Sequence, residues 1–211
     1  MTQQGQGEFV VFAGGGGSGK TTTLDLLEAE GFLETYGVYR THEPGGTDVG
    51  RAIREILLNK HWEHKLTPYQ ELLLVEAGRE NHILGEVKRR LERGQHVFCD
   101  RFSEATKGYQ IVAPNAGEKL NQLFLYLDGW SRHGVEPNHW IFFDVDPEVG
   151  LRRKDPDNED RFDAEGLEFQ RKVRDGQLLY LSARRNCTIV DTNRPQEEVL
   201  AEVRDILERI L

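Results

Sequence analysis

"AGGGGSGKTTT", Ala13 to Thr23, decides how this 211-residue chain is to be read. Gly14-Gly15-Gly16-Gly17-Ser18-Gly19-Lys20-Thr21 satisfies the spacing G-x-x-x-x-G-K-[ST]. It stands after a short apolar run, "EFVVFA" (8–13), and before a stretch compatible with a helix from Lys20 to about Glu30. A chain of phosphates needs that order. Glycines let successive N–H groups turn inward around an anion, and the helix N-terminus adds its partial positive charge. Lys20 can then reach the outer phosphates, and the Thr21 hydroxyl can meet Mg2+. Gly14 to Thr22 is therefore the expected cradle of a nucleoside triphosphate.

Working outward, strand and helix signals alternate. "YGVYRTHE" (36–43) is a second strand followed by the turn "PGGT", and a helix is expected from Asp48 to about Leu58. At "LTPYQ", Thr67 can cap a helix with Pro68 in its first turn and Gln70 closing a capping box, and Gly94 ends it. Leu73, Ala77, Leu84, Val87 and Leu91 recur there at helical spacing and are expected to form a core stripe. "HVFCD" (96–100), "HWIFFDVD" (139–146) and "CTIVD" (187–191) are three further apolar strands. Five buried strands joined by helices imply an α/β fold of three layers, α/β/α, around a five-stranded parallel sheet. Ligands then belong at the carboxyl ends of the strands.

Composition narrows the function. With 36 acidic and 27 basic residues, a net charge of −9 offers no long-range attraction to a nucleic-acid polymer or a membrane surface. Cys99 and Cys187 lie in apolar strand-like runs, which suits reduced thiols better than a disulfide framework. "MTQQGQGE" has no apolar signal core and no later run approaches a membrane span, so a cytoplasmic protein is expected. Residues 1–7 are expected to be a disordered tail and 8–211 a single domain.

A phosphate cradle does not by itself separate a kinase from a switch GTPase or a motor ATPase. The chain has no N-K-x-D segment for reading guanine. What it carries is "HEPGGTDVGRAIREILL" (42–58), "ELLLVEAGRENH" (71–82), "DRFSEATKGYQ" (100–110) and "DRFDAEGLEFQRKVRDGQLLYL" (160–181). In this order and spacing they resemble the thymidylate kinase family of P-loop nucleoside monophosphate kinases, from Glu8 to about Asp191. The resemblance implies the nucleoside monophosphate kinase fold with a small mobile lid at about 152–165. It also implies a homodimer and in-line transfer of the γ-phosphoryl group of ATP, with Mg2+, to the phosphate of dTMP. A kinase of another nucleoside or deoxynucleoside monophosphate stays open, as does a nucleotide-binding regulatory protein without efficient transfer.

Site residues follow position by position. Asp100 ends a buried strand beside the cradle, where a carboxylate either holds Mg2+ together with Thr21 or caps the next helix. Lys20, Asp100, Arg101 and Arg161 are the implied catalytic groups. Arg101 and Arg54 match arginines that contact the acceptor phosphate, although either could pair with a neighbouring acid. Glu43, Pro44, Thr106 and Gln110 belong to the matched acceptor-site motifs. Val75 and Arg79 share a helix face that in the family holds a stacking phenylalanine and a base-reading arginine, and Arg79 has Glu76 as an alternative partner. Tyr109 matches a ring that leaves no room for a 2′-hydroxyl, or it is core packing.

In the lid, Arg153 and Arg161 are the candidates for the transferred phosphoryl group, because the cradle itself has no arginine. "DTNRPQ" (191–196) is expected near the adenine. Four further departures from the family pattern stand beside Val75. Gly16 replaces an acidic residue, Ala13 a glutamate, His42 an arginine, and "IVAPNAG" (111–117) a run of glycine and arginine.

Overall fold

β1 (Phe9–Ala13), β2 (Val38–His42), β3 (His96–Asp100), β4 (His139–Asp144) and β5 (Cys187–Asp191) form one parallel sheet in the order β2-β3-β1-β4-β5. The computed structural model describes residues 6–155, 157 and 159–211. The helices are α1 (Lys20–Ala29), α2 (Phe32–Thr35), α3 (Asp48–Leu58), α4 (Pro68–His82), α5 (Lys88–Glu92), α6 (Ser103–Thr106), α7 (Gly117–Ser131), α8 (Pro147–Arg153), α9 (Arg161–Ala164), α10 (Gly166–Ser182) and α11 (Gln196–Ile210).

β1 is buried along its whole length because successive side chains enter opposite layers. Val10 and Phe12 pack with Leu24, Leu27, Val199 and Val203 of α1 and α11. Phe9 and Val11 pack with Ile83, Val87, Phe124 and Leu181 on the other face. The expected three-layer architecture is therefore present. Because β3 and β4 flank β1, the connections part to either side at its carboxyl end, which opens a crevice where the glycine loop begins.

Two expectations change. The 67–94 helix starts as read, with Thr67 and Gln70 forming the capping box, but the backbone passes through a π turn at Ile83–Val87 between α4 and α5. Of its expected core stripe, Val87 and Leu91 are buried as read, but the part on α4 and the π turn is out of phase. Leu73 and Leu84 are about two-fifths exposed and Ala77 is exposed, while Leu72, Val75, Glu76, Arg79 and His82 face inward. Apolar periodicity misled here because the buried face carries charges that compensate one another. At the N-terminus, residues 1–5 of the expected tail lie outside the described residues. Gly7 is buried and its N–H donates to the Leu91 carbonyl, so the packed chain begins before Glu8.

Candidate active site

Lys20 is the centre of the glycine loop. Its ammonium donates to the carbonyls of Gly14 (3.0 Å) and Gly15 (2.8 Å) and to the Ser18 hydroxyl (3.0 Å). No carboxylate is among these partners, and burial, with the nearby Arg101 charge, pushes the Lys20 pKa down to about 7. A cation held by two carbonyls and a hydroxyl, with no carboxylate hydrogen-bonded to it, is poised for an anionic ligand. Gly17 has φ +67, and a Cβ there would run into the carbonyl of Gly150, so the loop can close only with glycine at this position. Gly19 caps α1 in the left-handed region with no side-chain cap on that end, and Lys20, Thr21 and Thr22 of its first turn line the crevice.

Asp100 meets the loop from β3. Its Oδ2 accepts from the Thr21 hydroxyl at 3.0 Å, while its Oδ1 is buried without a hydrogen-bond partner. It does not cap α6: the Phe102 N–H at that end donates to Glu104 Oε2 at 3.0 Å. One orphaned carboxylate oxygen beside one hydroxyl fits Mg2+, which keeps most of its ligands as water and phosphate and needs few from protein. It does not fit a metal held by protein alone, and no cluster of three or more His, Cys, Asp or Glu suited to a metal exists among the described residues. Burial pushes Glu104 up to about 7, and its second oxygen also lacks a partner.

Across the crevice stand two arginines with a different fate from most. Arg101, at φ +71, is anchored by its N–H to the Phe12 carbonyl and by its guanidinium to the Gly14 carbonyl (3.0 Å), 5.3 Å from the Tyr109 ring centre. Arg54 reaches the Pro44 carbonyl at 3.1 Å, and burial together with the Arg101 charge lowers its pKa. Among the described residues neither makes an ion pair with a carboxylate. The neighbouring-acid alternative is therefore not realised for either, and Arg51 pairs with Asp48 instead.

Arg79 is the opposite case. It is 1% exposed, and donates to Glu43 (2.9 Å), Glu76 (2.7 Å), Asp128 (3.2 Å) and the Thr106 hydroxyl (2.9 Å). These carboxylates outweigh its burial and raise its pKa above the ordinary value. His82 adds a contact to Glu43 at 2.8 Å and one to the Thr41 hydroxyl at 2.8 Å. The pairing with Glu76 foreseen as an alternative exists, and four of the five guanidinium N–H groups are engaged. Gln110 donates to Glu71 at 3.1 Å, and the Tyr109 ring packs edge-on against Phe162 at 5.1 Å.

The lid arginines are not where the sequence suggested. Arg161 is buried, with its Nη2 2.6 Å from Glu71 and its Nε on the Leu57 carbonyl, tying α9 to the α3–α4 wall. Arg153 donates to the Thr192 carbonyl at 2.9 Å, which places it beside the "DTNRPQ" loop. The side chain that lies over the glycine loop is Lys154, paired with Asp163.

A cavity of about 770 Å³ connects these parts. Gly15 to Thr22 line it, as do Glu43, Pro44, Arg54, Val75, Arg79, Asp100, Arg101, Thr106, Tyr109 and Gln110. Gly14 contributes its carbonyl from behind, whereas Arg153 and Arg161 do not reach the lining. Lys154, Asp160 and Phe162 line it without having been singled out. Asp160 and Phe162 flank Arg161 in the matched "DRFD" segment, while Lys154 lies in a charged stretch that reads as solvated.

Residues 12–203 match the family model described as thymidylate kinase. A thymidylate kinase of Bacillus pumilus is 34% identical over 209 residues, 97% of each chain. One from Sulfurihydrogenibium sp. is 38% identical over 174 residues, 82% of each chain, and one from Nostoc sp. is 36% identical over 207 residues, 95% of each.

Proposed function

The chain belongs to the thymidylate kinase family, and from that premise we propose how its cavity phosphorylates dTMP with ATP. The observation that carries the reading is the pair Arg54 and Arg101: two half-buried cations without an ion-paired carboxylate among the described residues, lining one cavity with Lys20. They bind and orient the acceptor phosphate, and the glycine loop with Lys20 holds the β- and γ-phosphates of ATP. An acceptor oxygen attacks the γ-phosphorus, the bond to the bridging oxygen breaks, and its electron pair leaves on ADP. The attacking oxygen is already anionic, so no general base is required. Catalysis is positioning and neutralisation of charge in a site that excludes water. Thr21 and the free Asp100 oxygen would hold Mg2+. The ion would neutralise phosphate oxygens as charge moves between them.

Around the acceptor, Tyr109 supports discrimination against a 2′-hydroxyl, and the remaining Arg79 N–H supports reading of the base. Val75 supplies an aliphatic floor in place of a stacking ring. Arg153, bonded to the Thr192 carbonyl at the start of the "DTNRPQ" loop, supports binding of the adenine end. The exposed Leu73 and Leu84 on the long helix, with Leu125, Tyr126 and Trp130 on the adjoining α7, support a homodimer packed through these helices. No helix of the described residues is long and apolar enough to cross a membrane, and both cysteines are free thiols, which supports a cytoplasmic enzyme.

The test is ADP release with MgATP against dTMP, dUMP, dCMP, dGMP and UMP. Turnover is expected with dTMP at the highest kcat/KM. Preference for another monophosphate would reassign the acceptor, and ATP consumption independent of any acceptor would remove the kinase reading.

A further inference from the structure

One buried carboxylate joins the lid to the wall of the acceptor crevice. Glu71, in the first turn of α4, accepts hydrogen bonds from two directions. Its Oε1 takes the Arg161 Nη2 at 2.6 Å from α9, and its Oε2 takes the Gln110 Nε2 at 3.1 Å. Gln110 sits in a π turn, Lys107–Val112, that continues α6, and the buried side chain still contributes to the cavity lining. Thr106, about one turn earlier, lines the same cavity and accepts from Arg79, while Val75 stands one turn after Glu71 on α4. Gln110 therefore belongs with Val75 and Arg79 at the base end of the cavity.

The chemistry of Glu71 dictates how the Gln110 amide is turned. A carboxylate paired with a guanidinium offers only hydrogen-bond-accepting oxygens, so Gln110 must give it the NH2 end. The amide oxygen is left for the cavity. A half-buried oxygen there needs a donor from the ligand, since leaving it unpaired costs affinity. Thymine and uracil carry a donor, N3–H, where cytosine carries a bare ring nitrogen. We propose that Glu71, which does not itself reach the cavity lining, is a positioning residue for the choice of monophosphate. Held by the lid arginine, it keeps the Gln110 oxygen toward the ring and so favours a base with N3–H. The proposal rests on the reading of the cavity as a dTMP kinase site.

The experiment measures Kd for dTMP, dUMP and dCMP by calorimetry, and kcat/KM for the same three with MgATP, in the wild type, Glu71→Gln and Arg161→Lys. In Glu71→Gln the new amide must turn its oxygen to Arg161, which leaves its NH2 facing Gln110 and reverses the Gln110 amide. dTMP and dUMP should then each weaken about tenfold and dCMP should tighten about threefold, the scale of one hydrogen bond lost or gained. The dTMP-over-dUMP ratio should not move, because both rings carry N3–H. Arg161→Lys keeps a cation on Glu71 and should hold the wild-type preference for dTMP over dCMP within about twofold.

Should Glu71→Gln not fold, with Arg161 left buried without a counter-charge, the double variant Glu71→Leu with Arg161→Leu carries the test. Apolar replacement of a buried pair is tolerated where loss of one partner is not. Gln110 is then free to turn, and the preference for dTMP over dCMP should fall between those of the wild type and Glu71→Gln. Equal weakening of all three monophosphates would make Glu71 a fastener of the lid alone, and the proposal falls. An unchanged preference in the variants, or a wild type without one, overturns it as well. A wild type that binds dTMP over dCMP yet transfers no phosphoryl group would sink the kinase reading and leave Glu71 its role. A working dTMP kinase whose preference ignores Glu71→Gln would do the opposite.

Discussion

Lys20 and Arg79 are both buried cations lining one cavity, and they keep opposite company. Lys20 is 5% exposed and bonds two carbonyls and a hydroxyl, while Arg79 is 1% exposed and bonds three carboxylates. Burial therefore lowers the pKa of the first, and Glu76, Glu43 and Asp128 overcome burial to raise that of the second. An uncompensated buried cation holds a place for a ligand, whereas a compensated one is part of the scaffold. In hydrogen-bond partners the contrast extends to Arg54 and Arg101, whose guanidiniums bond carbonyls as Lys20 does, and to Arg161, which pairs with a carboxylate as Arg79 does. In charge Arg101 differs from Lys20, because nearby Tyr109, Asp100 and Glu104 outweigh its burial and raise its pKa.

The most severe break in this contrast is Lys20→Met. It should lower kcat by about 1,000-fold or more, because no other side chain replaces the ammonium in the cradle. The ligand-free protein should unfold at no lower urea concentration, since only carbonyl and hydroxyl partners are lost. Single-turnover kinetics and urea titration of the same preparation check both halves. A marked loss of stability would mean that Lys20 is scaffold as well.

Arg79→Met should do the reverse first. Removing the cation leaves Glu43, Glu76 and Asp128 buried together, and breaking such a cluster costs about 3–5 kcal/mol. Equilibrium urea unfolding at neutral pH should show that loss. It should shrink as pH falls, because the stranded carboxylates can then take up protons. A variant as stable as the wild type would place Arg79 among the ligand-seeking cations.

The same difference explains what the sequence made legible. The cradle is one contiguous stretch whose chemistry is mostly backbone, so Gly14 to Thr21 could be read without a partner, and the five apolar strands gave the sheet. The Arg79 cluster joins Glu43, just after β2, and Glu76 on α4 with Asp128 and Ser131 on α7, residues far apart in the chain. Its charges also disguise a buried helix face as a polar one, which is why the apolar stripe was placed a step too far round α4. Arg161 left its expected place, and the unmarked Lys154 lies over the loop, for a related reason. Both are lid cations, and which one reaches the loop depends on the distant Glu71 and Leu57 carbonyl that capture Arg161. No spacing within 152–165 encodes that capture.

The finest test of the contrast is a proton count. With its pKa pushed down to about 7 in the empty cradle, Lys20 is mostly neutral at pH 8. Bound phosphates supply the missing counter-charge and should return it to the ordinary lysine range, so MgATP binding at pH 8 should take up close to one proton. At pH 6 the lysine is protonated before and after, and uptake from this group should vanish. Calorimetric titrations in buffers of different ionisation enthalpy read the number directly, and Lys20→Met should abolish the buffer dependence at pH 8.

The linkage carries a second sign. Because the folded pKa is depressed, the unfolded chain holds more protons between about pH 7 and 10.5, so this lysine makes the ligand-free protein more stable as pH rises through that window. Bound nucleotide should erase that rise, and ATP affinity should fall as pH climbs above 7. Buffer-independent binding at pH 8 would mean that Lys20 is charged in the empty cradle, and the distinction from Arg79 would then reduce to geometry alone.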